Sequence, residues 1–236
     1  MAETVLPSRA DVVIIGSGAF GLAAAYHLSR IHSGSIVVLD RFEPASQTSP
    51  RAAGLYKLVQ ASLVKSQLAA LSIELIQGFA EESGQRLEYV KSGSILAART
   101  PEHTALIDAE VAQSREWGVE IEDLDTAGLV SLAPYLSGRG VRRAYHIPGD
   151  IYIEEPAWLL QAYLGALEAR GVPVIGNTPV TGFTLTDGTI SGVSTPAGDI
   201  ETPLVLDAAG IWSRQVGALA GAEVAIAPVR RSACTT

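Results

Sequence analysis

Residues Asp11 to Asp40, DVVIIGSGAFGLAAAYHLSRIHSGSIVVLD, constrain this chain more than any other stretch: they read as strand, glycine turn, helix and second strand ending in an acid. The apolar run Val12 to Ile15 leads straight into Gly16-Ser17-Gly18-Ala19-Phe20-Gly21. In such a turn Gly16 permits the sharp reversal, Gly18 lets a pyrophosphate approach the backbone, and Gly21 lets the following helix pack closely on the strand. That helix, carrying Leu22, Ala23, Ala24, Ala25, Tyr26 and Leu28, aims its free N–H groups and positive end at the same spot. Ser35 to Leu39 reads as the second strand, and Asp40 stands 19 positions beyond Gly21. An acid there accepts hydrogen bonds from ribose hydroxyls and repels a 2′-phosphate. A glycine turn alone is weak; with both strands, the helix and the acid in place it predicts an α/β, Rossmann-like domain and a bound dinucleotide.

At 236 residues the chain has room for one large domain or two modest ones, and 47% hydrophobic residues suffice for a real core. The net charge of −8 and the lack of any basic cluster longer than Arg142-Arg143 or Arg230-Arg231 argue against nucleic acid as a partner. Cys234 is the only cysteine, which excludes an internal disulfide and a CxxC metal site. A reducing, cytoplasmic setting fits this usage. The start, Met1 to Ala10, has no basic region followed by an unbroken apolar core, so no secretory signal is expected. No run reaches the roughly 18 apolar residues of a membrane span.

After Asp40, the small and polar stretch Arg41 to Gly54 is too long for a simple connection, and long ordered loops usually have functions. Val64, Leu68, Leu71, Leu75 and Phe79 recur at three and four, predicting a helix with that stripe in the core. Leu87 to Val90 and Ser94 to Ala98 read as strands joined at Ser92-Gly93. Thr100-Pro101 opens a helix running to Trp117, Asp125 to Leu132 reads as a short helix, and Arg142 to Ile147 as a strand. The helix Pro156 to Arg170 presents Leu159, Leu160, Tyr163, Leu164 and Leu167 on one face, and the strand Val172 to Ile175 follows. Val180 to Leu185, Thr189 to Ser194 and Ile200 to Val205 form a three-strand meander with turns at Asp187-Gly188 and Gly198-Asp199.

Leu204 to Asp207 is an apolar strand that ends in Ala208, Ala209, Gly210 and then Ile211-Trp212-Ser213. Small residues at the carboxyl end of a strand let a ligand lie against backbone, where open α/β sheets bind their ligands. With these pieces the chain resembles the flavin-dependent amino-acid and amine oxidoreductases of the D-amino-acid oxidase superfamily, in its glycine/sarcosine oxidase-like group. The resemblance covers nearly the whole chain, through DVVIIGSGAFGLAAAYHLSR, VVLDR, SPRAAGL, PAWLLQAYLGALEARGVPV, VLDAAGIWSRQVGALAG and APVRR.

The resemblance implies noncovalent FAD, with Gly16, Gly18, Ala19, Phe20 and Gly21 around the pyrophosphate, Asp40 on the adenosine ribose and Arg41 near the adenine. It places Arg51, Ala52, Ala53 and Gly54 on the flavin side, Val180 against the adenine through its backbone, and Ala208, Ala209 and Gly210 along the cofactor. Two domains are implied: a discontinuous FAD-binding domain over 1–84 and 150–222, and part of an α+β substrate domain over 85–149 and 223–236.

The implied reaction takes a hydride from the carbon beside a substrate nitrogen to the flavin, so the protein has to place that carbon and balance charge. Candidates are Arg51 and Lys57 as electrostatic groups and Tyr56 and Tyr152 as substrate-facing hydroxyls. The four histidines, His27, His32, His103 and His146, show no metal or triad spacing and read as surface or structural. Arg51 and Ala52 offer no nucleophile for covalent flavin attachment, and Cys234 lies too early for the family's downstream site. Family members continue beyond the stretch matched by Pro228-Val229-Arg230-Arg231, whereas this chain stops at Thr236. That implies an incomplete substrate side, open to a partner chain or to self-association. The implied function is an FAD-dependent oxidoreductase, or its N-terminal portion, oxidising the C–N bond of an amino acid or secondary amine. Alternatives are a noncatalytic flavin-binding fragment or subunit needing a partner chain, and, from the first motif alone, an NAD-dependent dehydrogenase.

Overall fold

The computed structural model describes residues 5–230, so Cys234 and Arg231 lie outside the described residues. The chain forms two compact units. One contains the chain up to Ala53, Ser83–Arg86, and the chain from Glu155; the other contains Gly54–Glu82 and Leu87–Glu154.

In the first unit four strands form a parallel sheet in the spatial order Val205–Asp207, Val12–Ile15, Ile36–Leu39, Val174–Ile175. Val13 stands opposite both Val205 and Val37, and Val38 opposite Val174, so the register is continuous across all four. Side chains alternate between the faces of a strand. Val13, Ile15, Val37 and Leu39 point into a core shared with Val193 and Ile200 of an antiparallel meander. Val12, Ile14, Ile36 and Val38, equally buried, point the other way, to the face covered by the glycine-turn helix Ala19–Ile31. That helix packs against the helix Pro156–Ala169, with the Tyr26 and Tyr163 rings 5.6 Å apart. Burial on both faces explains why these strands are continuously apolar rather than alternating. Each fully buried valine or leucine contributes about 1.5–3 kcal/mol relative to exposure.

The meander comprises Gly182–Thr186, Thr189–Thr195 and Gly198–Glu201. Its first turn is Asp187-Gly188, with φ of 52° and 77°, the pair of positive values a tight hairpin requires. The second is Pro196-Ala197, not the expected Gly198-Asp199. Gly198 already pairs with Thr195, whose hydroxyl accepts from Ala197 N and donates to Gly198 O. The expected third strand also stops early: proline has no N–H for a ladder, and after Pro203 the chain turns into the parallel sheet.

The second unit has an antiparallel sheet in the order Ser94–Ala98, Arg143–Ile147, Glu122–Leu124. Its core, with Ala98, Tyr145 and Ile147 from the sheet, takes Ile107 and Val111 from the helix Pro101–Glu116. Thr100 caps that helix by accepting from His103 N, and Asp125 caps Thr126–Leu132 through Gly128 N. Leu87–Val90 is not a full strand. Val90 alone exchanges backbone hydrogen bonds with Tyr152, while Ser94–Ala98 takes Arg143–Ile147 as its partner.

The helix Leu63–Ser83 corrects the expected stripe. Val64, Leu68 and Leu71 are 64, 58 and 50% exposed, and the buried face is Ser66, Ile73, Ile76 and Phe79. Two apolar faces compete on this helix. The one carrying the small Ser66, whose hydroxyl donates to Leu58 O, lies inward. The unit boundaries differ from those expected, because Leu55–Tyr56 pairs with Ile151–Tyr152 and Leu58 N donates to Asp150. These bonds bind residues 54–82 to the second unit rather than to the first.

Candidate functional site

Three carboxyl ends of the parallel strands and the N-terminus of Ala19–Ile31 meet around Gly16. Its φ is 107°, its N–H donates to Leu39 O at 2.8 Å, and a Cβ on it would stand 2.5 Å from Ala208 O. Ala208 N in turn donates to Ile15 O. A Cβ on Gly21 would collide with the Gly16 carbonyl. Gly18, the residue before the helix, offers no capping side chain; the Ser49 hydroxyl instead accepts from Ala19 N at 3.0 Å. Oxygen at that N–H is the interaction expected of a phosphate at a helix N-terminus.

Asp40 is held by three donors. Its Oδ2 accepts from Ser17 N at 2.8 Å and Ser17 Oγ at 2.6 Å, and its Oδ1 from Phe42 N at 2.9 Å. Beyond it, the Arg41 guanidinium lies 5.0 Å from the Phe42 ring centre and 5.8 Å from that of Trp212. The two rings are themselves 5.4 Å apart. Thr178 N donates to Asp40 O, bringing Thr178 and Val180 to the same wall. On the opposite strand end, Asp207 accepts from Ala209 N and Ser213 Oγ, each at 2.9 Å, which fixes the turn Ala208-Ala209-Gly210.

These groups line one cleft of about 350 Å³ within the first unit, in the range of about 300–1,000 Å³ usual for small-molecule sites. The cleft collects Gly16, Gly18, Ala19, Phe20, Asp40, Arg41, Val180, Ala208, Ala209 and Gly210. Gly21 stands behind it, against Gly16. Ser17, Phe42, Ser49, Thr178 and Trp212 also line it and carried no signal of their own in the sequence.

Arg51, Ala52 and Ala53 do not line the cleft. The Arg51 guanidinium donates to the carbonyls of Ser46 and Gln47, fastening the loop that does. Gly54, Tyr56, Lys57 and Tyr152 belong to the second unit. There the carbonyl of Gly54, at φ 74°, accepts from Ile153 N, and burial pushes the Tyr56 hydroxyl above its ordinary pKa. Asp150, fully buried, accepts from Leu58 N at 2.8 Å and from the Ser94 hydroxyl, holding the segment that carries Lys57. Among the described residues no group of three or more His, Cys, Asp or Glu could hold a metal ion, and no helix is long and apolar enough to cross a membrane.

A parallel sheet with a glycine turn, an acid after its second strand and a backbone-lined cleft at the strand ends defines a Rossmann-like α/β fold, the class in which dinucleotide sites are built at the strand ends. The chain belongs to the DAO family of FAD-dependent oxidoreductases, which matches residues 11–236. It is 30% identical over 237 residues to the mitochondrial sarcosine dehydrogenase of Homo sapiens, covering 98% of this chain and 26% of that protein. The L-proline dehydrogenase of P. horikoshii superposes with a TM-score of 0.85 at 22% identity, over 92% of this chain and 57% of that one. The glycine oxidase of Geobacillus kaustophilus does so with a TM-score of 0.81 at 25% identity, over 91% and 59%. The chain thus spans about a quarter of the curated relative's length and under two thirds of these solved chains.

The cleft fits the family's cofactor. Two glycines have no room for a Cβ, Ala19 N already binds an oxygen, and Asp40 lines the cleft just after the second strand, where this fold class carries a ribose-binding acid.

Proposed function

We propose that this chain forms the FAD-binding part of an oxidoreductase that oxidises the C–N bond of an amino acid or secondary amine. The observation that carries the reading is the cleft in which the Gly16 turn, Asp40 and Ala208-Ala209-Gly210 converge. When bound, FAD supplies the hydride acceptor for the carbon beside the substrate nitrogen. This chain's residues bind and orient. The N-terminal end of the helix Ala19–Ile31, through its dipole, receives the phosphates, Asp40 receives the ribose through its remaining acceptor position, and Ala208 to Gly210 allow close approach. No nucleophilic side chain stands at Arg51 or Ala52, so the cofactor is held without a covalent bond. Sarcosine, proline and glycine, named for the three similar proteins, are small amino acids, which supports a substrate of that class.

A second reading, flavin binding without turnover, is favoured by one observation: Arg51, within the cleft's own unit, does not line the cleft and spends its guanidinium on the Ser46 and Gln47 carbonyls. The two separate in one experiment. The full chain loaded with FAD is mixed anaerobically with sarcosine, glycine or L-proline while the yellow flavin band is followed. Bleaching by at least one supports the enzyme; a stable band with all three supports binding alone.

A further inference from the structure

We propose that Ser17 is a positioning residue that sets the ribose selectivity of the cleft by locking the Asp40 carboxylate in one orientation. The inference rests on the flavin reading above and deepens it. Ser17 is completely buried, so its hydroxyl cannot trade partners with water. It donates to Asp40 Oδ2 at 2.6 Å, and the Ser17 backbone N–H donates to the same oxygen at 2.8 Å. A carboxylate offers about four acceptor positions. With Phe42 N on Oδ1, three are taken, and the one left over belongs to Oδ1. The acid therefore presents a single acceptor in a fixed direction, suited to one ribose hydroxyl.

The same Ser17 oxygen accepts from Ala45 N at 3.1 Å. Ala45 is a non-glycine residue at φ 59°, a conformation that persists only where its surroundings impose it. Residues 42–49, which line the cleft through Ser49, are thereby tied to the glycine turn 28 positions earlier through one hydroxyl. Losing it removes a donor from Asp40 and leaves the Ala45 N–H without its acceptor.

The test is the affinity of the full chain and of Ser17→Ala for FAD, ADP, 2′-deoxy-ADP and 3′-deoxy-ADP by titration calorimetry. The wild type is expected to prefer ADP over at least one deoxy analogue by about tenfold, the weight of a hydrogen bond to a charged group. Ser17→Ala should weaken FAD and ADP alike and reduce that preference to less than about threefold. A purely structural serine would lower the melting temperature and leave the ratio of ADP to its deoxy analogues unchanged. An unchanged ratio, or a wild type without preference, overturns the inference while FAD binding still stands. A wild type that binds neither FAD nor ADP overturns the flavin reading and the inference with it.

Discussion

The carbonyl of Gly16 occupies the place where a Cβ on Gly21 would stand. Strand end and helix are pressed backbone to backbone there, which brings the helix N-terminus to the cleft and leaves no room for any side chain.

Gly21→Ala should therefore lose FAD binding and destabilise the fold by about 1–3 kcal/mol, the cost of overpacking. Gly78→Ala is the control. It changes an exposed position of the helix Leu63–Ser83 with nothing within 4 Å, and should stabilise by about 0.5–1 kcal/mol. Urea unfolding of both variants measures the contrast.

Asp150 is the buried clamp of the second unit, binding Leu58 N and the Ser94 hydroxyl. Asp150→Ala leaves both donors without a partner and should cost about 3 kcal/mol. A shift in the urea midpoint with an unchanged slope reports it.

Asp11 sets an acid limit. The Ser35 N–H first, then the Ser35 hydroxyl, hold its carboxyl below the ordinary range, helped by the charges of His32 and Arg9. A carboxylate with a lowered folded pKa contributes stability above its unfolded pKa and loses it as the pH falls through the folded value. Ser35→Ala should raise the Asp11 titration midpoint in NMR and be less destabilising in acid than at neutral pH.

Arg51→Ala removes the tie to the Ser46 and Gln47 carbonyls. Amide exchange over 46–50 should quicken and FAD affinity fall several-fold. The melting temperature should hardly move, because Arg51 is exposed.

What the sequence made legible was local. The glycine turn, both flanking strands, the Thr100 cap and the short helix that follows Asp125 depend on neighbours a few residues away, and all lie where the spacing put them. The Val64 to Phe79 stripe misled because a second face, with Ser66, Ile73 and Ile76, makes the tertiary contacts, and periodicity cannot rank two apolar faces. The unit boundary at Gly54 hangs on pairing with Ile151–Ile153, about a hundred positions away. Ser17 and Ser49 were silent for the same reason, their partners lying 23 to 30 positions off.

The central claim is that the cleft built by Gly16, Asp40 and Ala208 to Gly210 holds FAD, and a fluorescence titration of FAD with the purified full chain tests it most directly. The account predicts saturable one-to-one binding that is abolished in Gly21→Ala. A titration showing no binding by the folded wild-type chain, or equal binding by Gly21→Ala, would contradict it.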